Sequence, residues 1–182
     1  MSENVRKLGA GTLLVASPLL VDPNFYRTVV FVLQHDADGA VGVVLNRPSD
    51  EPVESHLPEW ARRLEDPPVV FVGGPVDRTV AIGFVRSDSP TEPTALVGIG
   101  MVDLGSDPAA GNPGPVRVFS GYAGWGPGQA EAERAESAWL VLDAFAEDVF
   151  TSAPDELWST VLRRQGGKLA MLATFPDDLS MN

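Results

Sequence analysis

Apolar positions in this chain come as short runs over its first two thirds and at helical spacing only towards its end. Thr12–Ala16, Val69–Val72, Val80–Val85 and Val116–Phe119 are short, largely apolar runs, the pattern of buried strands. Thr28–Gln34 and Ala40–Asn46 are rich in β-branched residues and flank His35-Asp36-Ala37-Asp38-Gly39, which predicts a β-hairpin. Neither strand alternates cleanly, so both are expected to be buried on both faces. Asp36-x-Asp38-Gly39 is read as turn chemistry and not as a calcium loop, since the third ligand position and the distal Glu of such a loop are missing.

Prolines and glycines punctuate the middle of the chain. Asn46-Arg47-Pro48 ends the second hairpin strand, because Pro48 cannot donate to a ladder and holds Arg47 extended. Arg47 is thereby presented at a strand end, either as an anion or carboxylate clamp or as a solvated surface arginine. Val53–Leu64 predicts a short helix entered at Pro58, with Trp60 and Leu64 on its buried face and His56 just before it. Gly73-Gly74-Pro75 makes a sharp corner after Val69–Val72. Ala95–Leu104, broken by Gly98 and Gly100, is a weak strand or a short helix, and Gly105–Pro115 reads as an exposed loop.

The period changes after Ser120-Gly-Tyr-Ala-Gly-Trp-Gly-Pro-Gly-Gln129, a glycine-rich stretch read as a rigid aromatic loop. Ala135, Trp139, Leu142, Phe145 or Ala146, and Val149 recur at three- and four-residue steps, predicting one amphipathic helix over about Gln129–Phe150 with Glu131 and Glu133 in its first turn. Ser152 is placed as the cap of a second helix with Pro154 in its first turn. Leu157, Trp158, Val161 and Leu162 form its inner face, and Gly166 is its stop. Leu169–Phe175 is read as a last strand and Pro176–Asn182 as a polar tail. Strands first and helices late predict an α+β fold: a single compact domain over residues 1–182, with a mostly antiparallel or mixed β-sheet flanked by the two late helices.

Composition narrows the function classes. The 182 residues carry 13 Lys+Arg against 25 Asp+Glu, a net charge of -12, and the few bases are scattered, so direct contact with nucleic acid is not expected. Cysteine is absent, which excludes thiolate catalysis and thiolate metal sites, and His35 and His56 alone leave little for zinc; no metal or cofactor is implied. Leu8–Val21, following Arg6 and Lys7, imitates a signal peptide, but Thr12, Ser17 and Pro18 interrupt it and a first buried strand is the better reading. No run reaches the ~18 apolar residues of a membrane helix. The expectation is a cytoplasmic protein without a membrane partner.

Known catalytic motifs fail. Gly124-Trp-Gly126-Pro-Gly128 lacks the dinucleotide spacing, no phosphate loop is present, and Val118 stands where a nucleophile elbow would have its first glycine before Ser120. A phosphate at the start of the late helix would meet Glu131 and Glu133, so a neutral or amide-bearing ligand, or a peptide segment, suits that loop better. Gln129 would then offer a two-way hydrogen-bonding group and Trp125 a stacking face; alternatively, Tyr122 and Trp125 are simply core.

Asn46-Arg47-Pro48, Gly73-Gly74-Pro75-Val76, Gly121-Tyr122-Ala123-Gly124-Trp125-Gly126-Pro127-Gly128-Gln129 and the closing Ser180-Met181-Asn182 resemble, in order and spacing, the YqgE/AlgH family of bacterial proteins. Ala16-Ser17-Pro18 with Asp22-Pro23-Asn24-Phe25 is similar to that family's opening. The resemblance implies a compact α+β domain in a cytoplasmic bacterial setting and an uncharacterised activity, some members being described as regulators of transcription. Two departures stand out: Ala130 where a leucine usually follows the glutamine, and Phe84 where a histidine is usual, which removes a candidate general base.

The reading that results is a non-enzymatic binding or regulatory domain acting through an unknown protein or small molecule. Its candidate binding residues are Asn46, Arg47, Gly73, Gly74, Pro75, Tyr122, Trp125, Gly126 and Gln129. The alternative is an enzyme of unknown class, with Arg47, Ser120 or Gln129 holding a substrate and Glu131 moving a proton. A DNA-binding regulator ranks below both.

Overall fold

A computed structural model describes residues 6–111 and 114–176, so the closing Ser180-Met181-Asn182 and most of the expected tail lie outside the described residues. Ten strands form one curled sheet, in which β1 (Thr12–Ala16) lies between β10 (Trp139–Asp143) and β2 (Val29–Asp36). The order continues through β3 (Gly39–Val44), β9 (Val116–Trp125), β6 (Val76–Arg86), β8 (Ile99–Val102) and β7 (Glu92–Pro93). Off this path, β4 (Pro48–Pro52) pairs with β5 (Val69–Val72), and β5 lies parallel to β9. The other strand pairs are antiparallel. This is the expected α+β class, with a mixed sheet and late helices.

The sheet is covered on both faces, and β1 shows why its sequence reads as a continuous apolar run. Leu13 and Val15 join Phe31, Phe71, Phe84 and Phe119 in one core, whereas Leu14 and Ala16 join Val30, Trp125 and Trp139 in another. Alternate side chains of a strand point to opposite faces, so two cores demand apolar residues at every position. The first core is closed by α2 (Ala146–Val149), α3 (Leu157–Arg163) and α4 (Gly167–Leu172). All four predicted inner-face residues of α3 are buried. Phe84, at the position where the resemblance expects histidine, is fully buried edge-on between Phe31 and Phe119, at 5.8 and 5.4 Å. No base accessible to solvent could act from there.

The β2–β3 hairpin forms with a tighter turn than expected, Ala37-Asp38 alone, because β2 runs on through His35 and Asp36. The inner half of β2 is buried on both faces and its outer half alternates. The Asp36 carboxylate accepts the Asp38 N–H at 2.8 Å, which is turn chemistry as read. No group of three His, Cys, Asp or Glu able to hold a metal ion occurs among the described residues.

Four expectations are corrected. Ser120–Trp125 is not loop but the second half of β9, paired with β6 on one side and with β5 and β3 on the other. Gly121 serves close backbone approach there: a Cβ on it would lie 2.8 Å from the Gly74 carbonyl oxygen, and it takes φ 73. The single helix over Gln129–Phe150 is instead α1 (Gln129–Ala135), then β10, then α2. Ser137 at φ 64 ends the helix, and Trp139–Asp143 pairs with β1. Tertiary pairing overrides the helical period there. The last strand, Leu169–Phe175, is replaced by α4, whose Lys-Leu-Ala-Met-Leu composition favours a helix. Finally, Val53–Leu64 is two 3-10 turns, Val53–Ser55 and Pro58–Arg63, with Trp60 buried and its Nε1 donating to the Leu104 carbonyl at 3.0 Å. No helix among the described residues is long and apolar enough to cross a membrane.

Candidate functional site

The candidate residues separate into two places along β3. At one end Ala40 pairs with Trp125, and at the other the Val44 N–H donates to the Gly73 carbonyl at 2.8 Å. Four residues of strand put these places about 13 Å apart.

The Trp125 end is a closed hydrogen-bond hub. Glu133 accepts Trp125 Nε1 at 2.9 Å and Trp139 Nε1 at 2.8 Å on one carboxylate oxygen, and Gln129 Nε2 at 2.9 Å on the other. Gln129 Oε1 in turn accepts the Gly126 N–H at 3.0 Å. The two indoles meet edge to face at 5.8 Å, and Phe25 packs on both. Trp125 is 5% exposed. Trp125, Gly126 and Gln129 are thus spent on one another, and Ala130 is buried beneath them. Glu131 is engaged too: it pairs with His35 Nε2 at 2.5 Å, and that hydrogen bond holds its carboxyl below the usual glutamate range.

The Gly73 end opens into a concavity of about 250 Å³. Arg47, Gly74 and Pro75 from the expected set line it, joined by Arg78, Asn24 and Pro48. The geometry follows from local constraints. Gly73 N–H donates to the Ser120 carbonyl and Val72 N–H to that of Arg47, at 2.8 and 2.7 Å, which wedges β5 between the Arg47 strand end and β9. The chain then turns through Gly74-Pro75 into β6, bringing Arg78 to the rim. Asn46 does not line the concavity. It is buried, accepts the Val29 N–H and donates to the Arg27 carbonyl, both at 2.9 Å, and so clamps the β1–β2 connection. Gly73 and Tyr122 do not line the concavity either: Gly73 packs on Gly121, and Tyr122 stands opposite Val76 in the β9–β6 ladder.

The charged residues lining this concavity are of one sign. Its lining holds two arginines and no Asp, Glu or His. Arg47 donates one Nη2 hydrogen bond to the Tyr26 carbonyl at 2.6 Å, which fixes its guanidinium. Neither arginine has a carboxylate partner among the described residues. Arg78 lies thirty-one positions beyond Arg47 and carried no local signal in the sequence. Only the β5–β9–β6 pairing brings the two together.

A third arginine shows the opposite fate. Arg117 is 1% exposed and donates to the backbone carbonyls of Val149, Thr151 and Asp66 while stacking at 4.6 Å over Phe71. Burial pulls its ionisation down to about 10, so it stays charged at neutral pH as a structural cation.

Comparison with known proteins agrees with this architecture. The family model described as DUF179, AlgH-like, matches residues 13–170. A UPF0301 protein of Streptomyces coelicolor is 48% identical over 182 residues, covering 94% of each chain, and one of Thermobifida fusca is 46% identical over 187 residues with the same coverage. The crystal structure of protein DIP2367 from Corynebacterium diphtheriae superposes with a TM-score of 0.87 at 30% identity, covering 96% of this chain and 95% of that one. The solution structure of the AlgH protein from Pseudomonas aeruginosa gives 0.69 at 29% identity, covering 98% and 100%.

Proposed function

This chain belongs to the AlgH-like family, and from that premise we propose that it is a non-enzymatic binding module whose recognition surface is the concavity at the Gly73-Gly74-Pro75 corner. The observation that carries the reading is a pair of arginines without carboxylate partners among the described residues, lining one hollow of a protein whose net charge is -12. Cations left unneutralised in a strongly acidic protein are poised for an external anion. A catalytic reading lacks such support, because the lining offers no carboxylate or imidazole to move a proton, and Arg117, whose ionisation is displaced furthest, lies in the core. Regulation by this module would run through the bound partner or ligand, with no DNA contact, and in the cytoplasm.

A photo-crosslinking residue at Pro75 tests the reading in bacterial cells, with Val97, which is 89% exposed, as the control position. Intact-mass and gel analysis should reveal a discrete adduct from Pro75 that disappears with Arg78→Glu. No adduct, or the same adduct from Val97, would remove the concavity as a recognition surface.

A further inference from the structure

The lining of the same concavity narrows its ligand. We propose that it takes a small organic monocarboxylate with a short apolar body, an assignment that rests on the concavity being a recognition site.

The donors decide the anion. Pro23, Pro48 and Pro75 all line the hollow and none carries a backbone N–H, so the run of free amides that cradles a phosphate elsewhere is not built here. What remains is the Asn24 amide and two guanidiniums, whose planar forks match a carboxylate edge in bidentate fashion. Arg47 is held by its bond to the Tyr26 carbonyl, with the rest of its fork left over, and the Arg78 side chain has no hydrogen bond or ion pair among the described residues. Only the Arg78 backbone is engaged, its carbonyl accepting from Ser120 Oγ at 2.6 Å.

The walls decide the body. Val44, Val72 and the three proline rings offer hydrocarbon beside the cations, which suits a ligand with an apolar part. At about 250 Å³ the hollow falls below the common range of drug-sized sites, about 300 to 1,000 Å³, so the ligand has few carbons. The net charge of -12 penalises each further negative charge on the ligand, which favours a monoanion over a dianion such as phosphate.

The test is a titration of the isotope-labelled full chain, followed by amide chemical shifts, with acetate, butanoate and hexanoate. Butanamide serves as the neutral counterpart and inorganic phosphate as the competing oxyanion. Butanoate or hexanoate is expected to produce saturable shifts at Val44, Val72, Gly74 and Arg78, and butanamide none. Arg78 is exposed, so Arg78→Gln should leave the remaining spectrum unchanged while weakening butanoate binding about tenfold. Equal binding of butanamide, tighter binding of phosphate at the same amides, or unchanged affinity in Arg78→Gln would each overturn the assignment. A Pro75 crosslink to a macromolecule without saturable carboxylate binding would leave the recognition surface standing and reject the carboxylate.

Discussion

Glu133 and Arg117 anchor the structure by opposite means. Glu133 gathers two indole N–H groups and one amide on a single carboxylate, and Arg117 spreads one cation over three carbonyls and two aromatic rings. Neither role was legible in the sequence, where Glu133 is an acid in a helix's first turn and Arg117 a polar interruption of an apolar run. Periodicity reports which face a residue occupies and not which distant donors converge on it. Glu133→Ala leaves both indole N–H groups without their acceptor and is expected to cost about 2 to 4 kcal/mol in denaturant unfolding. Trp125→Ala should cost about 3 to 5 kcal/mol, because a large core ring is removed as well. A Trp125 variant of unchanged stability would contradict the hub.

Between elements, the legible parts were those fixed by local chemistry. The β2–β3 hairpin and the inner face of α3 follow from turn residues and spacing, and both are present. Trp139–Asp143 reads as helix in the sequence because its apolar spacing satisfies one, and only the open edge of β1 decides for a strand. The fold also made a junction that the sequence did not announce, the His35–Glu131 contact tying the end of β2 to the start of α1. Glu131 ionises below its ordinary value of 4.5 in the folded protein, mainly through the His35 hydrogen bond. A depressed carboxyl stabilises fully above its unfolded value and loses that contribution as pH falls through the folded one. Denaturant unfolding between about pH 5 and about pH 3 should therefore show stability falling less steeply in His35→Ala than in the unaltered chain. Equal slopes would assign the acid limb to other carboxylates.

Across the whole molecule, the α+β class was readable from the order of elements, whereas the candidate site was only half readable. Arg47, Gly74 and Pro75 carry local punctuation, but Arg78 joins them through strand pairing, and Trp125 and Gln129 were grouped with them by shared glycine-rich sequence without sharing their place. The corner that makes the hollow is intolerant of bulk. Gly74→Ala would put a methyl group 2.1 Å from Tyr122 backbone atoms at φ 155, and a loss of about 3 kcal/mol or more is expected in thermal or denaturant unfolding. The net charge of -12 also makes a global prediction. The protein should pass unretained over immobilised duplex DNA even at low salt, and salt-dependent retention would reinstate nucleic acid as a partner.

β9 is laid down late in the chain yet sits in the middle of the sheet, between β3 and β6. Opening the backbone between Ser106 and Asp107, in an exposed turn, would leave an amino-terminal piece with a vacant central lane and a carboxy-terminal piece carrying the strand that fills it. Neither piece owns a closed core, so each alone should be unstructured by circular dichroism, and mixing the two should restore the native signal with a one-to-one stoichiometry. The molecule is in this respect a natural candidate for fragment complementation, a reporter of assembly that needs no ligand.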